Sequence, residues 1–151
     1  MIAIDTDVLA IYHIFTHDQR YEVTKSFMKI SSRHDRGTTV YNIMELAGIV
    51  SAAGKSAVAK RILEMYVGAG DMHILYPSLA LQTPELFWVE YCARIMAVME
   101  RGIRYGDAKI LWVVESHNCD TLITWNTAHY QTRTPLQVMT PTEYCSCKEC
   151  T

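Results

Sequence analysis

The chain has 151 residues, 50% of them hydrophobic and 20% charged, with a formal net charge of −2. That length fits one domain with a real core, and that balance excludes a protein that coats nucleic acid by bulk electrostatics. No apolar run reaches the roughly 18 residues that a membrane span needs. The N-terminus lacks a basic stretch followed by an apolar run and a small-residue cleavage site. No signal peptide is therefore expected, and the expected location is the cytoplasm.

Ile2, Ala3, Ile4 and Asp5 form a short apolar run ending in an acid, which predicts a buried strand with Asp5 at its carboxyl end. A short helix over residues 8–15 follows, with Asp7 placed to cap it, and then a second helix over 19–31. The charged stretch 33–37 reads as a solvated turn before a strand at 38–40. Across 41–53 the spacing of Ile43, Leu46, Ala47 and Val50 predicts a helix with one apolar face, stopped near Gly54. Another helix is expected over 55–67, ended by Gly68 and Gly70, then a strand at 73–76 closed by Pro77. Pro84 suits the first position of the longest helix, 84–101. Its apolar residues fall on more than one face, as in a central helix or one shared with a partner subunit. A helix over 106–116, a strand at 121–124, a short helix or turn at 126–130 and a strand at 136–139 complete the order. Cys92 and Cys119 lie in apolar stretches and read as core residues. Strands alternating with helices predict an α/β fold, three layers (α/β/α) around a central parallel sheet of about five strands. Residues 1–144 make a single domain on this reading, and 145–151 a cysteine-rich C-terminal tail.

Ligands of open parallel sheets collect at the carboxyl ends of the strands, and three acids fall near that edge. Asp5 ends the first strand, Glu45 lies early in the helix after the second, and Asp107 opens the helix before the fourth. Asp107 shares a stripe with Ile110, Leu111 and Val114, so it is expected to point toward the sheet. Glu45 shares a face with Gly48, Ile49 and Ala52, where small residues would allow close approach. Converging carboxylates repel one another unless a cation lies between them, and hard divalent cations prefer oxygen ligands. One reading of the trio is therefore a metal centre that supports hydrolysis. The plainer reading makes Asp5 a turn acid, Asp107 a favourable charge at a helix N-terminus and Glu45 a solvated helix residue.

The ordered segments Ile2-Ala3-Ile4-Asp5-Thr6-Asp7-Val8-Leu9, Tyr41-Asn42-Ile43-Met44-Glu45-Leu46, Gly106-Asp107-Ala108 and Thr121-Leu122-Ile123-Thr124-Trp125-Asn126-Thr127-Ala128-His129 resemble the PIN domain family. Thr140-Pro141-Thr142-Glu143-Tyr144 resembles the family's usual ending. These are metal-dependent nucleases that include the toxins of VapBC toxin–antitoxin pairs. The resemblance covers residues 1–144 and implies a five-stranded PIN-like sheet. It makes Asp5, Glu45 and Asp107 the principal acids, which would bind Mg2+ or Mn2+. It implies an endoribonuclease with metal-activated water as the nucleophile and no covalent intermediate. The partners implied are RNA, a small antitoxin and a second copy of the chain, since many members are homodimers. The 84–101 helix has the apolar surface for such pairing. Thr124 would orient the site through its hydroxyl. Thr124 and His129 are the positions that would meet substrate, His129 being equally readable as an ordinary hydrogen-bonded surface histidine.

The sequence departs from the family at Asn126, where Asp is common. Asn brings a carbonyl oxygen but no charge, so a weaker catalytic site or a single bound ion would follow. Asp7 is either a helix cap or a carboxylate that replaces the missing charge and joins the metal ligands. Two other functions are open at this point. One is a catalytically weak PIN-like RNA-binding or scaffold domain, motivated by Asn126 and the acidic balance. The other is a phosphatase of the haloacid dehalogenase type using Asp5 and Asp7, which leaves Glu45 without a role and needs a lysine that the sequence does not identify. Cys145, Cys147 and Cys150 offer three soft ligands, one short of a structural zinc site. They are either thiols of a frayed terminus or part of a site completed by His129, another chain or solvent.

Overall fold

A computed structural model describes residues 1–79 and 83–149. It begins with β1 (Ile2–Ile4), α1 (Thr6–His13), α2 (Tyr21–Ser31), β2 (Arg36–Thr39), α3 (Val40–Ala52), α4 (Ser56–Ala69) and β3 (His73–Leu75). It continues with α5 (Pro84–Met99), α6 (Tyr105–Ser116), β4 (Thr121–Ile123), a 3-10 turn (Thr127–His129), β5 (Gln137–Met139) and α7 (Pro141–Glu149). The strands form one parallel sheet in the order β3-β2-β1-β4-β5. The chain builds outward from β1 on one side through β2 and β3. It then crosses back to place β4 on the other side of β1. The carboxyl end of β1 is therefore the switch point, where the loops part and leave a crevice.

Strand side chains alternate between two cores. Ile2, Ile4 and Ile123 face a cluster built by α1, α2, α3, α4 and α7, with Leu9, Phe27, Ile43 and Leu46 at its centre. Ala3 and Leu122 face a second cluster, where α5 and α6 supply Tyr91, Ile95, Leu111 and Val113. The result is the three-layer α/β/α arrangement expected from the order of elements.

Several starts follow local chemistry. Thr39 and Asn42 form a capping box, so Val40 is the first residue of α3 rather than the end of a strand. Thr83 caps α5 through the Leu86 amide, with Pro84 at the first helical position. Gly70, at φ +69, provides the left-handed cap of α4. No helix among the described residues is long and apolar enough to cross a membrane.

Two sequence expectations are corrected. The stretch 33–37 is not wholly a solvated turn, because Arg36 and Gly37 are buried in β2, with Arg36 opposite Ile2. The Arg36 guanidinium is satisfied inside, donating to the Met28 carbonyl at 2.8 Å, Ser31 Oγ at 2.9 Å and Asp71 Oδ2 at 2.6 Å. Cys92 is exposed on the outer side of α5, whereas Cys119 is buried as expected. Helix α7 runs through Cys145 and Cys147, while Cys150 lies outside the described residues.

Candidate active site at the carboxyl edge of the sheet

Asp5 follows β1 directly and is 6% exposed. Its backbone is extended and its carboxylate caps α1, Oδ1 accepting from the Thr6 amide at 2.7 Å. The same oxygen accepts from Asn42 Nδ2 at 2.9 Å, and that amide also donates to Thr6 Oγ1. Thr6 Oγ1 in turn donates to Glu45 Oε2 at 2.7 Å. One hydrogen-bonded chain thus links the end of β1 to the start of α3 and carries Asp5 and Glu45 at its two ends. The close approach expected beside Gly48 is absent, since a Cβ there would meet nothing within 4 Å. The small residue against Glu45 is Gly106, where a Cβ would stand 3.7 Å from Oε1.

Asp107 lies in the first turn of α6, with Ile110, Leu111 and Val114 buried along its stripe. Its link to Asp5 runs through Tyr130, which the sequence did not single out. The Tyr130 hydroxyl lies 3.4 Å from Asp5 Oδ2 and 3.5 Å from Asp107 Oδ1, so its single proton can serve one carboxylate at a time. Burial raises the pKa of this phenol, reinforced by the charges of Asp5, Asp107, Asp7 and Glu45. Asp5 and Asp107 therefore share one buried hydroxyl. Asp107 Oδ2 also lies 3.1 Å from His129 Nδ1, a half-exposed imidazole at the mouth.

Asp7 does not cap α1, because Asp5 holds that position. It reaches across to β4 instead. Its Oδ2 accepts from Thr124 Oγ1 at 3.1 Å, the Trp125 amide at 2.9 Å and the Asn126 amide at 3.1 Å. Its Oδ1 is buried with no hydrogen-bond partner. Thr124 is fully buried, with its hydroxyl turned to Asp7. Asn126 is exposed and contributes its backbone amide to Asp7. The charge at this corner is therefore that of Asp7.

The electrostatics reflect crowding. Burial, then the neighbouring Asp7 charge, pushes Asp5 up to about 7, with Glu45 adding to the rise. Burial also raises Asp7, opposed by its hydrogen bonds from Trp125 and Thr124. Among the described residues no three acidic, imidazole or thiol side chains stand close enough to enclose a metal ion unaided. A magnesium-type ion does not need such a cage, since it binds through one or two carboxylates and keeps several waters. The donor set fits it. All the groups are oxygens, Asp7 Oδ1 is orphaned, and the acids repel one another in the absence of a cation. A cavity of about 670 Å³ lies elsewhere, between α1, α2 and α4, and none of these acids lines it.

No family model matches the sequence, and no curated protein matches it significantly. Solved structures do match. FitAcB from Neisseria gonorrhoeae superposes with a TM-score of 0.63 at 19% identity, covering 94% of this chain and 99% of that one. VapBC-1 from nontypeable Haemophilus influenzae gives 0.62 at 21% identity, with the same coverage of 94% and 99%. Mycobacterium tuberculosis VapC20, described as a sarcin–ricin loop cleaving toxin, gives 0.57 at 15% identity, covering 81% and 87%. These neighbours are PIN-domain toxins from toxin–antitoxin systems. At such identities the likeness concerns the fold, and the fold of this chain is theirs.

Proposed function

We propose that the chain is a divalent-metal-dependent endoribonuclease and the toxin of a toxin–antitoxin pair, acting in the cytoplasm. The observation that carries this reading is the meeting of Asp5 and Asp107 at the Tyr130 hydroxyl, with Glu45 tied to Asp5 through Asn42 and Thr6, at the switch point of a PIN-domain toxin fold. Asp5, Glu45 and Asp107 would hold Mg2+ or Mn2+, with Asp7 adding charge where Asn126 brings none. When bound, such an ion supplies Lewis acidity toward a phosphodiester oxygen and favours ionisation of water. The chain's own residues set the frame. Asn42 and Thr6 fix the orientation of Asp5 and Glu45, and Thr124 fixes Asp7. His129, held at Nδ1 by Asp107, leaves its other ring nitrogen to meet a phosphate. The phosphatase reading lacks support, since the groups bearing most on Asp5 are carboxylates, a hydroxyl and an amide.

VapC20 cleaves a structured RNA loop, so the natural first substrate is a labelled structured RNA, presented beside a small phosphomonoester. Cleavage is expected with Mn2+ or Mg2+ and not with a chelator. Asp5→Asn should cost more than the ~100-fold that loss of a residue supporting a metal ligand costs. Turnover of the phosphomonoester alone would sink the proposal. Asn126 favours a second reading, an RNA-binding domain of low turnover, which would show as binding without cleavage in every metal. Asp7→Asn is expected to weaken Mn2+ binding by about 10-fold or more in calorimetry. An unchanged affinity would remove Asp7 from the site.

A further inference from the structure

An acidic protein with an acidic centre must hold a polyanion by something other than bulk charge. Beside the acids lies an aromatic assembly that the site described above does not use. Tyr105 is the first residue of α6, directly before Gly106, whose backbone abuts Glu45. Tyr41 lies one helical turn before Glu45 on α3. The Lys109 ammonium sits between them, 5.0 Å from the centroid of each ring. The Tyr41 hydroxyl donates to that of Tyr91 at 2.8 Å, which fixes its ring. Tyr105 nevertheless remains 55% exposed.

We propose that Tyr105, braced by Lys109 and Tyr41, is a stacking platform that receives an unstacked base of single-stranded RNA beside the cleavage centre. The proposal rests on the ribonuclease reading and adds to it the element that grips substrate. Every base has a π-face, and aromatic side chains recognise splayed single-stranded bases by stacking on them. Lys109 polarises the ring assembly and offers a cation to the adjoining phosphate. Its ammonium is held by rings rather than by a carboxylate among the described residues. A base on Tyr105 would place its phosphate at the mouth formed by Glu45, Asp107 and His129.

The test uses full-length protein carrying Asp5→Asn, with Mg2+, and fluorescein-labelled single-stranded RNA of about ten nucleotides, read by anisotropy. A companion set of the same RNA replaces each nucleotide in turn by an abasic one. In the Asp5→Asn parent one abasic position should weaken binding about fivefold or more. Tyr105→Ala should weaken the intact RNA by a similar factor and abolish the response to that abasic position. Tyr105→Phe should bind within about twofold of the parent, because the ring is kept. Lys109→Gln should lower the salt dependence by about one phosphate, a slope change of roughly 0.7. The abasic set needs no change at the platform and so tests it even if Tyr105→Ala unfolds. Uniform affinity across that set, or a Tyr105→Ala protein that binds as its parent does, overturns the platform. If the protein with Asp5 intact still cleaves RNA, the ribonuclease reading survives that failure. If it neither binds nor cleaves any RNA, both fall.

Discussion

Asp5 is buried among like charges, and that has a consequence for stability. A carboxyl raised from 3.8 to about 7 on folding binds its proton more tightly in the native state between those values. Stability should therefore fall as pH rises from about 4 to 7 and level off above, when metal is withheld. In a chelator, Asp5→Asn is expected to flatten that slope, with the raised Asp7 leaving a remainder, and to melt above the wild type at pH near 7.5. Mn2+ should raise the wild-type melting temperature and leave that of the variant nearly unchanged. Equal pH profiles for the two proteins would show that Asp5 ionises freely. Arg36 is the opposite case, a buried charge that is fully satisfied. Arg36→Met would take the charged donor from the Met28 carbonyl, leaving it the longer bond from Ser31 Oγ at 3.3 Å, and would remove the partner of Asp71. A loss of about 1.5–3 kcal/mol is expected in urea unfolding, the range for hydrogen bonds to a charged group.

The elements matter for what they leave uncovered. Helix α5 buries Tyr91, Ile95 and Val98 against α6 yet leaves Leu86, Val89 and Met96 more than half exposed. A helix apolar on two faces fits a chain that pairs with its own copy, and α5 is the proposed face of that homodimer. Val89→Glu with Met96→Glu should halve the mass seen in sedimentation without lowering the melting temperature of the fold. Wild-type protein that sediments as a monomer would dismiss the pairing. Helix α3 shows how much one start can position. The capping box at its origin fixes Asn42, and Asn42 reaches back to Asp5 and Thr6. The same turn that begins the helix thus orients the acid at the end of the neighbouring strand.

At the scale of the whole molecule, charge sets how RNA can be held. With a net charge of −2, binding should depend only weakly on salt. A slope of log K against log salt near 2 in magnitude is expected, about three phosphates at roughly 0.7 each. A much steeper slope would mean that a basic surface, not the crevice and its aromatic rim, carries the affinity. The molecule is also divided in two by its sheet. Ile4 and Ile123 serve one core while Ala3 and Leu122 serve the other, so the short strands β1 and β4 tie both layers to the same edge. The acids at that edge are held between two packed layers, which favours a rigid centre.

The sequence by itself determined the order of elements, the parallel sheet and the placing of Asp5, Glu45 and Asp107 near one edge. Those features are local, being written in runs of apolar residues, in helical spacing and in capping residues. It misjudged what depends on distant partners. Arg36 reads as a solvated charge until the Met28 carbonyl, Ser31 and Asp71 are seen around it. Asp7 reads as a helix cap until β4 is laid beside β1 and delivers the Thr124 hydroxyl with the Trp125 and Asn126 amides. The pair Thr39 and Asn42 had a legible capping spacing, but nothing local marked Asn42 as the donor to Asp5. Tyr130 left no local signal, because its two partners are 125 and 23 residues away in the chain. Only the tertiary structure decided how the acids meet, since hydrogen bonds and charge repulsion act across space and not along the sequence. The trio is thus the legible part of the site, and the hydroxyls and amides that hold it are the part that folding supplies.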